Sequence, residues 1–73
     1  MRQSQNTLIE VRVLGGYSPT FYVALASTAG RITLTLERAH ARRVTMRTGQ
    51  RMRERVQRAL APYGMHAVYV VGV

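Results

Sequence analysis

Seventy-three residues without a cysteine make one domain: so short a chain buries only about 60% of its unfolded surface, which excludes a second core, a disulfide framework and a thiolate metal staple. Hydrophobic residues at 47% against 19% charged exclude a disordered polyelectrolyte. The net charge of +8 and pI near 11.6 arise from eleven arginines against three glutamates, with no lysine and no aspartate, and they direct attention to acidic partners.

Residues 1–6 are polar and read as a flexible tail ahead of a domain spanning 7–73. They lack the apolar segment of a signal peptide, and no apolar run approaches the roughly 20 residues of a spanning helix, so a cytoplasmic protein is expected.

From Thr7 to Leu14 the residues alternate, with Ile9, Val11 and Val13 opposite Leu8, Glu10 and Arg12, the period of a half-buried strand. Gly15-Gly16-Tyr17-Ser18-Pro19 breaks that pattern as a loop. A second run, Thr20 to Ser27, sets Phe21, Val23 and Leu25 against Tyr22, Ala24 and Ala26. After Thr28-Ala29-Gly30 a third sets Ile32, Leu34 and Leu36 against Thr33, Thr35 and Glu37. Three such runs predict an antiparallel meander with one apolar face and one wet face, and the apolar face needs a helix to cover it.

Arg38 to Arg47 has no clear period; a short helix or turn is expected, an extended segment being the alternative. The covering helix is predicted over Gln50 to Tyr63, where Met52, Val56, Ala59, Leu60 and Tyr63 recur at helical spacing. Thr48 is the expected N-cap, Gly64 the expected left-handed C′ residue, and Pro62 the stop. The uncharged run Ala67 to Val73 reads as a final strand, apolar on both faces and hence central in the sheet. The predicted class is therefore α+β: a small antiparallel sheet, three-strand meander plus C-terminal strand, packed against one amphipathic helix.

Eight of the eleven arginines, Arg38, Arg42, Arg43, Arg47, Arg51, Arg53, Arg55 and Arg58, fall between positions 38 and 58, where Glu54 is the only acid. At helical spacing Arg51, Arg55 and Arg58 form one ridge flanking the apolar stripe, with Arg53 across it. The plain alternative is a solvated helix face with Glu54 pairing Arg58 four residues on. Like charges at these spacings repel, so a binding face is favoured, with Arg42, Arg43, Arg47, Arg51, Arg55 and Arg58 as its contact residues. Arginine's planar fork grips carboxylate and phosphate in bidentate fashion, which suits acidic protein or nucleic acid. Codon bias in a GC-rich genome accounts for arginine over lysine as well, though not for the scarcity of acids.

No catalytic constellation emerges. Glu10 and Glu37 face each other across the wet side only as solvated strand glutamates, and His40 and His66 have no partners at metal spacing, so no enzyme activity, metal or cofactor is expected. Tyr22 and Tyr69 can share a sheet face, where aromatics beside arginine stack bases, but core or edge packing is the preferred reading for the aromatics, with Phe21 and Tyr63 in the core. Membrane binding is disfavoured because the apolar stripe must cover the sheet.

In size, charge and style, with its RTGQRMRERVQRAL helix and apolar terminal strand, the whole chain resembles the small RNA polymerase-binding transcription regulators made by phages of high-GC bacteria, such as that of a Xanthomonas phage. The resemblance implies a host-takeover protein that binds the β′ subunit region of bacterial RNA polymerase, blocks promoter recognition and permits antitermination. It carries no diagnostic motif, so it assigns no residue. Direct binding of RNA or DNA phosphates by the helix, or blockade of a nucleic-acid-guided defence complex, would use the same chemistry. A monomer is expected.

Overall fold

The computed structural model describes residues 4–15, 19–27 and 31–73. Three strands, β1 (Thr7–Val13), β2 (Phe21–Ala26) and β3 (Ile32–Thr35), are followed by a 3-10 turn at Arg38–His40 and by helix α1 (Met46–Leu60). A second 3-10 turn at Ala61–Tyr63 leads into strand β4 (His66–Gly72). The sheet is antiparallel in the order β3-β2-β1-β4, and α1 lies across β1 and β4 on one face, the α+β arrangement expected. The loop expected at Gly15–Pro19 and the break at Thr28–Gly30 fall largely outside the described residues, as does the start of the polar tail. Within the described part of that tail, the Asn6 carbonyl accepts from the Val73 amide at 2.9 Å.

Alternation of β-branched residues makes β1 the spine. It pairs with β4 along its whole length, from Thr7 opposite Gly72 to Val13 opposite His66, but meets β2 only at Glu10–Tyr22 and Val11–Phe21. Where β1 and β2 part, the chain ahead of α1 fills the gap in extended form. Val44 and Thr7 exchange backbone hydrogen bonds at 2.8 and 3.1 Å, the Thr7 hydroxyl donates to the Val44 carbonyl at 2.6 Å, and the Arg42 amide donates to Val23. The stretch between Arg38 and Arg47 therefore divides into a short 3-10 turn and an extended wedge, because Val44 gains more from the core than a helical turn would supply.

The core joins Ile9, Val11, Val23, Val44, Met52, Val56 and Val68, each side chain stabilising the fold by about 1.5–3 kcal/mol through burial. Phe21, Ala26, Ile32, Leu34, Leu60 and Val70 pack around it.

Six expectations change. A register shift between Val23 and Leu25 gives β2 an extra residue, so Leu25 turns to the wet face, 46% exposed, and Ala26 takes the inward place opposite Ile32. Leu36 lies beyond the end of β3 and is exposed. α1 starts a turn early, because the Thr45 hydroxyl oxygen, not Thr48, caps it by accepting from the Thr48 amide at 3.2 Å. It also ends early: Pro62 supplies no amide to Arg58, the chain tightens into the 3-10 turn, and Tyr63 swings out to 79% exposure instead of joining the core. Gly64 does take a positive φ of 117°, but with ψ −170°, a glycine region distinct from the left-handed helical one. Finally, β4 is an edge strand, not a central one. Its apolar residues find cover because α1 lies over Val68 and Val70 on one face and Val71 sits beside buried Leu8 on the other.

Candidate functional site

Helix α1 buries Gly49, Met52 and Val56, and the rest of its surface is nearly all polar. Taking 100° per residue, Arg47, Arg51, Arg55 and Arg58 fall within an arc of about 80° on the side away from that stripe, and rise over about 16 Å along the axis. All four are exposed. Rather than flanking the buried stripe, the ridge occupies the back of the helix, turned from the sheet. Arg53 lies to one side, on a groove it shares with Gln50, Glu54 and Val68, Tyr69 and Val70 of β4.

Arg42 and Arg43 do not join that ridge. They stand exposed on the extended wedge before α1, on either side of a backbone pinned by the Arg42–Val23 and Val44–Thr7 hydrogen bonds. Arg38 has local work, donating from Nη2 to the Gly72 carbonyl at 2.7 Å.

Among the described residues the ion pairs are Arg12–Glu10 at 2.6 Å and His40–Glu37 at 3.2 Å. Neither involves the ridge, and the Glu54–Arg58 pair that would make the helix an ordinary solvated face is not formed. The ridge cations are thus uncompensated within the described fold, a self-repelling arrangement that an external acid relieves. Glu10 and Glu37 are also apart: Glu10 is held in the middle of the sheet by Arg12, while Glu37 sits past the end of β3 with His40. No group of three His, Cys, Asp or Glu side chains converges among the described residues, and none of their helices is long and apolar enough to cross a membrane.

No protein-family model, curated protein or solved structure matches the chain.

A second polar constellation lies on the sheet face opposite α1, and it is less legible in the sequence than the ridge. Glu10 has Tyr22 of β2 and Tyr69 of β4 as its cross-strand neighbours, and Arg12 donates from Nε to Glu10 while its guanidinium carbon sits 5.7 Å from the centre of the Tyr69 ring. The hydrogen bond to Glu10, then its charge, raises the Arg12 pKa further above the ordinary arginine range. A raised pKa on a cation means its stabilising contribution is complete at neutral pH, where Glu10 carries its charge, and on the alkaline side is lost only as pH climbs past that range. Alternation placed these residues on the wet side; only strand order makes Tyr22 and Tyr69 flank the same glutamate.

Proposed function

We propose that this protein is a non-enzymatic regulator that docks the arginine ridge of α1 on an acidic protein surface of a nucleic-acid machine, with bacterial RNA polymerase, through its β′ subunit, as the first target. The observation that carries the docking is the ridge itself: four exposed guanidinium groups on one side of a helix, none of them in an ion pair among the described residues. Such a field speeds encounter with an acidic surface, and arginines buried on contact act as energetic anchors of about 2 kcal/mol or more. The choice of polymerase rests on the resemblance in size, charge and style to phage regulators, with inhibition of initiation and antitermination as the implied outcome.

Glu54 favours protein over a phosphate backbone at this site. On the helical wheel it falls about 40° from Arg58, just outside the Arg47 edge of the ridge, and it is exposed. A phosphate chain laid along the ridge would meet that carboxylate with repulsion, whereas a protein surface offers it a donor.

The test is capture of purified RNA polymerase after nuclease treatment, by the parent chain and by the triple variant Arg51→Glu, Arg55→Glu, Arg58→Glu. A nuclease-resistant complex that weakens at least a hundredfold in a variant of unchanged circular dichroism is the expected result. Undiminished binding by the folded variant removes the ridge from the mechanism, and a complex lost on nuclease treatment assigns it to nucleic acid.

A further inference from the structure

We propose that the sheet face turned away from α1 is a platform for single-stranded nucleic acid, on which Tyr22 and Tyr69 stack bases while the Glu10–Arg12 pair holds the nucleotide between them. This goes beyond the ridge and uses none of its residues.

The frame is set by register. Thr35, Tyr22, Glu10 and Tyr69 form one row across all four strands, with the two tyrosines two strand spacings apart, about 10 Å. One end of this face is closed: Arg38 reaches from its 3-10 turn to the Gly72 carbonyl, and Leu8, next along β1, is fully buried. The open part is therefore the row and the Arg12 end beyond it. Tyr69 is 46% exposed and Tyr22 half-buried.

Glu10 is only 7% exposed, an unusual depth for a carboxylate on a wet face. Arg12 satisfies it through Nε, which leaves both terminal nitrogens of an exposed guanidinium directed elsewhere. With one flank tied to Glu10 and its carbon 5.7 Å from the centre of the Tyr69 ring, that fork is held ready for a phosphate without the entropy loss of a free side chain.

Three features select the ligand. The sole acid of the row is already neutralised by Arg12 and the chain as a whole carries +8, so the field over this face attracts a polyanion. Protein interfaces place apolar residues at the centre and charge at the rim; here the charged pair is central and the aromatics flank it. Bases of a duplex stack about 3.4 Å apart with their faces covered, so rings about 10 Å apart can be capped only by the splayed, unstacked bases of a single strand.

The experiment is fluorescence anisotropy of the full chain with a labelled twelve-residue oligothymidylate, a duplex hairpin and a polyglutamate peptide. Tyr22→Ala, Tyr69→Ala, both phenylalanine substitutions and Arg12→Gln follow, each checked for fold by circular dichroism. The single strand is expected to bind best. Each alanine weakens it about tenfold with the salt dependence unchanged, since stacking releases no counterions, and phenylalanine restores it. Arg12→Gln is expected to lower the slope of log K against log salt by about 0.7, the loss of one phosphate contact to a single strand. Equal binding of single strand and duplex, preference for the acidic peptide, no binding of the single strand at low salt, or parental affinity in a folded double-alanine variant would each overturn the platform. Polymerase capture by the same tyrosine variants separates the two sites: retained capture with lost oligonucleotide binding is the expected pattern, and failure on the oligonucleotide leaves the ridge standing.

Discussion

Gly49 lies where the first turn of α1 meets the sheet. A side chain there would bring Cβ to 3.0 Å from Val70 Cγ1 and 3.4 Å from both Thr7 Oγ1 and Val44 Cγ2. These neighbours belong to β1, β4 and the wedge, and two of them are β-branched valines with little rotamer freedom. Gly49→Ala sets the gain in helix propensity, about 1 kcal/mol, against that contact. A branched side chain adds bulk with no such offset, so Gly49→Val is expected to destabilise by about 1–3 kcal/mol, seen as a lower urea midpoint at unchanged m-value. Parental stability would mean that the helix does not approach this closely. Gly49 falls one residue ahead of the helix predicted over Gln50 to Tyr63, and its use appears only when three other segments converge on it.

Within α1 the distinction between cap and first turn is testable. Thr45 accepts from the Thr48 amide and donates its own hydroxyl proton to the Thr48 hydroxyl. Thr45→Ala is expected to cost about 1 kcal/mol, and Thr48→Ala less, because the amide it carries still has the Thr45 oxygen. Equal losses in thermal melts followed by circular dichroism would return the cap to Thr48. The same helix shows which part of the site was legible early. Arg51, Arg55 and Arg58 at helical intervals announce one ridge whatever the helix packs on, since the period of the backbone determines their grouping; Arg47 joins them only because α1 starts at Met46. Arg42 and Arg43 could not be placed that way: they precede the helix on a stretch whose conformation is settled by Val44 entering the core.

The molecule has two unlike polar faces, the ridge above the helix and the tyrosine row beneath the sheet, sharing a net charge of +8. If the ridge steers its partner from a distance, raising salt should slow association strongly and change dissociation little, because the Debye length shrinks from about 10 Å at 0.1 M to about 3 Å at 1 M. Stopped-flow or surface-based kinetics on the captured polymerase would read both rates. An association rate indifferent to salt would remove long-range steering and leave only contact chemistry.

From the chain alone came the class α+β, the alternation that creates the strands, the amphipathic stripe of α1 and the concentration of arginine upon it. These depend on local period and composition, which neighbours in sequence dictate. The tertiary structure decided the bulge that turns Leu25 outward, the edge position of β4, the wedge at Val44 and the alignment of Tyr22 and Tyr69 about Glu10. Each of those depends on which strand lies beside which, a competition for hydrogen bonds and core volume between residues far apart in sequence, and no local pattern encodes its result.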